Sequence, residues 1–262
     1  MSHISLNICK DIFCGFFDSV RIDIAIKKLY NDQKLQKKII KIAKFNTIMY
    51  LVPYIIAYTV LNTFDYDLFS IINIAYLFVN VISGLFHLLY FIDLIDIVCV
   101  YTKKLNRPIS KLDSIGLAIV SFVYQLSMYI IMELIDMMLY KKLDVVSYLI
   151  KFIILTLYHS FCCFNNLWHY KNIDIHHRIS LHEKLWAYYL GYGTIASLMY
   201  IYSNHPLMIY TYNIYMSILI ILPFMIKTKY PKKQAYPSIN LKIFSIVVGY
   251  FNYAIKLINN SN

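Results

Sequence analysis

An all-α, polytopic membrane fold is what this sequence predicts: about six transmembrane or partly penetrating helices, with amphipathic helices at the two ends. Three observations carry that expectation. First, 60% of the 262 residues are hydrophobic and only 15% are charged, whereas soluble chains hold about 45–50% apolar and about 25% charged residues. Second, several apolar runs reach or approach the ~20 residues that cross ~30 Å of hydrocarbon. Third, the lysines concentrate between those runs, where membrane topology uses them.

The same placement decides what the formal charge of +11 means. A nucleic-acid groove needs basic residues gathered on one soluble face, and no sizeable soluble domain is present to carry one. The expected partner is the lipid bilayer, with no nucleic acid. High Ile, Tyr, Asn and Lys usage also fits an AT-rich genome, so tyrosine content by itself has no functional weight. The five cysteines are odd in number and lack a Cys-x-x-Cys pair, which indicates neither a disulfide framework nor a zinc site. Asp11, Asp18, Arg21 and Asp23 interrupt the N-terminal stretch, so no cleavable signal peptide is expected there.

In chain order, residues 4–30 read as one amphipathic helix. Ile8, Ile12, Phe16, Val20 and Ile24 recur every four residues on one ridge, a pattern suited to the membrane interface. A basic run from Lys27 to Lys44 completes a cytosolic segment, 1–44. The remainder, 45–262, reads as a single helical membrane domain. Its first span is 45–61, with Pro53 inside. The acidic turn with Asp65 and Asp67 follows, then a long second apolar run from Leu68 towards Tyr101. Lys103, Lys104, Arg107 and Lys111 return the chain to the basic side. Spans three and four are expected at 115–139 and 145–164, and Lys141 and Lys142 between them break the positive-inside pattern. Spans five and six fall at 185–203 and 207–226, the sixth containing Pro223. The segment 239–258 reads as an interfacial helix, which leaves both termini cytosolic. The sequence leaves open whether the third and fourth spans cross fully. Asn259–Ser261 forms a glycosylation sequon that matters only for a lumenal tail.

Four constellations invite chemistry. Asp93 with Asp96, and Glu133 with Asp136, each place two carboxylates on one helical face. The pairs fall near opposite membrane surfaces, so they do not form one site, and Asp93 and Asp96 suit ion pairs with Lys103 and Lys104. His87 is more interior and reads as a packing histidine. His169, His176, His177 and His182 suggest metal, but adjacent His176 and His177 diverge by about 100° on a helix. A solvated polar loop between two spans, each anchored by one tryptophan (Trp168 and Trp186), is the simpler reading. No phosphate loop or nucleophile elbow appears, so neither a catalytic residue, a cofactor nor a metal is expected. Ala187-x-x-x-Gly191 and Gly193-x-x-x-Ser197 make small-residue faces for close helix approach.

The stretch LYHSFCCF with Trp168, then IDIHHRIS, then EKLWAYYLGYG resembles the etoposide-induced protein 2.4 family. That family comprises endoplasmic reticulum membrane proteins remotely related to CysZ-like sulfate permeases. The similarity continues through Leu222–Phe224, Lys232–Pro237 and Leu241–Val248, giving a signature region at 152–256. Fainter echoes lie at Gly15–Ser19 and around Asp93–Asp96, while the first span departs from the family pattern. The residues carrying the resemblance are Tyr158, Cys163, Phe164, Trp168, His176, Arg178, Trp186, Tyr188, Tyr189, Gly191, Gly193 and Pro223, a set that would serve as a partner surface.

The resemblance implies a non-enzymatic, multi-pass endoplasmic reticulum protein associated with autophagy and apoptosis through membrane or protein partners. The alternative is a CysZ-like permease or channel for sulfate or another small anion. Such a path needs donors or positive charge within the membrane, and Lys151 is the notable basic residue beside a span. The oligomeric state is left open by the sequence.

Overall fold

The computed structural model describes residues 2–53, 144–171, 175–202 and 206–226, with positions 55, 56, 59, 94, 137 and 173. Among the described residues the ordered elements are helices and there is no strand. They are α1 (Ser2–Val20), α2 (Ile22–Asn31), α3 (Gln33–Asn46), a π-helical turn (Thr47–Leu51), α4 (Asp144–Tyr170), α5 (Ile175–Lys184), α6 (Trp186–Ile201) and α7 (Pro206–Met225). The all-α expectation holds. The expected second and third spans, the segment 239–258, Asp93, Asp96, Glu133, Asp136, His87, the basic returns around Lys103 and Lys141, and the sequon lie outside the described residues.

Among the described residues, two helices are long and apolar enough to cross a membrane by length and composition: Val145–Trp168 and Leu207–Met225. They coincide with the fourth and sixth expected spans. The fifth is shorter than expected. Leu185 is a turn residue, and α6 holds 16 residues, or about 24 Å of rise.

The chain divides into two compact units. One gathers Met1–Arg21, Val123–Ser197 and Ile226–Asn262, and the other Ile22–Phe122 and Leu198–Met225. The N-terminal helix breaks at Arg21. The single helix expected over 4–30 is therefore two.

In the first unit, α1 meets α6 through small residues, not through its aliphatic ridge. Gly15 and Ser19, one turn apart, are buried, while Ile8, Ile12 and Phe16 are half-buried and Val20 is exposed. A Cβ on Gly15 would strike the Tyr188 carbonyl, and one on Gly191 would strike the Ile12 carbonyl. Two backbones this close tolerate only hydrogen at the crossing. On its other side, α6 presents Gly193 to the Thr156 carbonyl of α4. The small-residue faces read from the sequence thus serve packing within the chain. The opposite side of α1 carries Leu6, Phe13 and Phe17 outward, within an arc of about 40°.

In the second unit, α7 packs on α2, α3 and the π turn. Leu35, Ile42, Asn46 and Tyr50 recur at helical spacing and are buried, with Ala25 of α2. From α7 come Leu219, Ile220, Ile221, Leu222 and Phe224. Asp32 caps α3, its Oδ1 accepting from the backbone N–H groups of Lys34 and Leu35 at 3.0 and 3.2 Å. That satisfies two amides that the first turn leaves without helical partners. The π turn has a local cause. Pro53 lacks an N–H, and its ring crowds the carbonyl four residues back. The preceding turn widens instead, with Val52 N–H donating to Thr47 O, five residues back.

The candidate site: a buried aromatic and polar cluster

The densest side-chain chemistry among the described residues lies where α4, α5 and α6 meet in the first unit. Its centre is Phe164, fully buried, with Tyr188, Tyr189 and Tyr192 set edge-on around it at ring distances of 6.1, 5.1 and 4.8 Å. Edge-to-face pairs of this kind are worth about 0.5–1.5 kcal/mol each beyond area. Trp168 joins Tyr189 at 5.7 Å, and His182 of α5 stacks on Tyr189 at 4.4 Å with planes 20° apart. The cluster is tied to α1 by Tyr188, whose hydroxyl donates to Asp18 Oδ2 at 2.9 Å.

Polar groups thread through this apolar mass, several of them paired. His159 Nδ1 lies 2.8 Å from Ser197 Oγ. Ser160 Oγ donates to the Leu157 carbonyl at 2.8 Å and lies 3.1 Å from His182 Nε2. A serine has one proton to give, so at the second contact the imidazole Nε2–H is the donor. Ser160 is thereby held as a structural link, because an activated nucleophile needs the reverse polarity. Burial lowers the His182 pKa from 6.5 to about 3, opposed by the Leu157 carbonyl, and the ring is neutral at ordinary pH.

Arg178 is the charged member. Its Nε donates to Ile173 O at 2.6 Å and one terminal nitrogen donates to Asn165 Oδ1 at 3.1 Å. Arg178 as a whole is 8% exposed. A buried charge is tolerable only with such oxygens placed against it. Glu183, beside His182, is also buried. Among the described residues no group of three His, Cys, Asp or Glu side chains converges as a metal site.

The structure brings together most of the residues singled out in the sequence, but not as a surface. Cys163, Phe164, Trp168, Arg178, Tyr188, Tyr189, Gly191 and Gly193 are buried, and Tyr158 and Trp186 are half-buried. His176 falls in the first turn of α5. Pro223 is buried within α7, in the other unit. Two expectations are corrected. Trp168 packs in the cluster at 3% exposure and is not an interfacial anchor. The solvated loop contains helix α5, with His182, Arg178 and Glu183 turned inward and His177 exposed. A short segment flanked by two long apolar helices finds polar partners there that its own composition does not announce. Sequence reasoning passed over Ser160, Asn165 and Ser197 as hydrogen-bonding residues, and gave no weight to His159. The available signal was a run of polar residues, His159, Ser160 and Asn165, within an otherwise apolar helix.

Fold and cluster together define an all-helical protein with, among the described residues, two helices of membrane-crossing length and a hydrogen-bonded aromatic core. No family model matches the chain, and no solved structure matches it. It is 99% identical over 262 residues, the whole of both chains, to an uncharacterized protein of Acanthamoeba polyphaga mimivirus. The chain belongs to the same family as that viral protein.

Proposed function

We propose that this chain is a non-enzymatic, multi-pass membrane protein of the endoplasmic reticulum, acting through contacts with membrane or protein partners. The observation carrying this reading is the pairing of polar groups inside an apolar helix: His159 with Ser197, Ser160 with Leu157 and His182, and Asn165 with Arg178. Groups paired within the chain stabilise a fixed helical assembly. The outward Leu6, Phe13 and Phe17 of α1, and the exposed Val145, Val146, Tyr148 and Leu149 of α4, suit a hydrocarbon or interfacial surrounding. An association with autophagy or apoptosis rests on the resemblance to the etoposide-induced protein 2.4 family.

Reporters fused to each terminus, read by fractionation and protease protection, test the reading. Both tags are expected to be accessible on endoplasmic reticulum membranes that retain the protein through alkaline extraction. A released protein, or one sorted to another membrane, sinks the proposal. One observation favours the alternative of an anion permease: Arg178 is a buried cation held beside α4. Sulfate flux in proteoliposomes that disappears in Arg178→Gln would establish that alternative.

A further inference from the structure

Four lysines of α3 line one strip of its surface. Lys34, Lys37, Lys41 and Lys44 are all exposed and fall within an arc of about 80°. The buried Leu35, Ile42 and Asn46 occupy the other side of the helix. Between Gln33 and Pro53 there is no acidic residue, and the preceding Asp32 is buried and occupied as the helix cap. The strip is therefore strongly basic in its local sequence.

The continuation of the same rod indicates the occupant. Asn46, Thr47 and Val52 keep right-handed helical dihedrals, so α3 runs through the π turn into the next segment without a break. Over that passage the outward side chains change from lysine to aliphatic: Ile48 is 63% exposed, and Val52, Ile55 and Ile56 are exposed as well. A nucleic acid or an acidic soluble protein would match the lysines and leave the aliphatic stretch in water. A bilayer matches both, with headgroups against the first part and acyl chains against the second.

We infer that Lys34, Lys37, Lys41 and Lys44 form a binding strip for anionic phospholipid headgroups, with the water–hydrocarbon boundary between Lys44 and Ile48. The strip is about 15 Å long, at 1.5 Å per residue. A headgroup layer is about 5–7 Å deep on each side, so Lys44 and Lys41 lie in it first. Lys37 and Lys34 reach it only as the helix inclines. Lysine butyl chains bridge part of that height while keeping the ammonium among phosphates.

The inference rests on membrane embedding, which alkaline extraction tests separately. The full chain is reconstituted in mixed phosphatidylcholine and phosphatidylserine, and the lipid it retains on re-extraction in detergent is compared with the parent mixture. The expected result is enrichment of phosphatidylserine, by about fivefold for each lysine that reaches the headgroups, falling with salt. Combined Lys34→Gln, Lys37→Gln, Lys41→Gln and Lys44→Gln removes the enrichment. The four arginine replacements keep it, which separates charge from folding. Single glutamine changes rank Lys44 above Lys34. The inference is overturned if the glutamine variant enriches phosphatidylserine as the wild type does. It is equally overturned if neutralising Lys227, Lys229, Lys232 and Lys233 has the same effect, or if RNA or DNA competes the lipid away. A protein that stays in the membrane without enrichment sinks the strip alone.

Discussion

The two compact units are built from the same element and held by different physics. In the first, α1, α4 and α6 approach until glycine hydrogen is all that fits between backbones, and the enclosed space holds aromatic rings and paired polar groups. In the second, α7 lies against α2, α3 and the π turn through Leu, Ile and Tyr side chains, with Asn213 and Asn46 at 3.4 Å. Side-chain packing can relax by rotamer changes when one member changes. A backbone-to-backbone crossing has no rotamer to give, so the first unit is the more specified and the less forgiving.

One separation between them is expected from glycine. Gly191→Leu must push the Ile12 carbonyl away, and Gly15→Leu the Tyr188 carbonyl. Each should lower stability by about 3 kcal/mol or more, read by thermal unfolding in detergent. The volume-conserving Leu219→Met at a buried position of α7 should lose under about 1.5 kcal/mol. Equal losses would erase the distinction.

Acid gives the next contrast. His182 is held near pKa 3 when folded and titrates near 6.5 when unfolded, so the unfolded chain binds more protons between those values. The stability linked to neutral His182 is complete above pH 6.5 and is lost as pH falls towards 3, by up to about 4–5 kcal/mol. Among the described residues the second unit has no histidine. Hydrogen exchange should show the first unit loosening before the second below pH 6, and His182→Gln should narrow that lead. Simultaneous loosening would mean that the histidine does not govern it.

Phe164→Ala removes the ring that three tyrosines surround and should lose about 3–5 kcal/mol, whereas Phe164→Leu should lose markedly less. If the two variants lose equally, the edge-on ring contacts carry the effect and volume adds nothing. Removing one polar link is milder: Ser197→Ala leaves His159 without that 2.8 Å contact and should lose about 1–3 kcal/mol. The smallest change is in the second unit. Asp32→Ala abolishes the α3 cap and should lose about 1 kcal/mol, largely restored by Asp32→Asn.

Composition and hydropathy runs determined the helical class and the two described helices of crossing length, because an apolar stretch of that extent needs no distant partner to be recognised. The small-residue spacing at Ala187, Gly191, Gly193 and Ser197 was legible for the same reason: a missing side chain is visible in the sequence itself. Tertiary structure alone decided which helix each glycine meets, that Trp168 turns inward, and that His182 and Arg178 are buried. A polar residue's fate depends on whether distant atoms supply its hydrogen bonds. Asn165 lies 13 residues from Arg178, Ser160 lies 22 from His182, and Ser197 lies 38 from His159. Local periodicity carries no record of such pairs, because the energy that buries them arises only when α4, α5 and α6 have met.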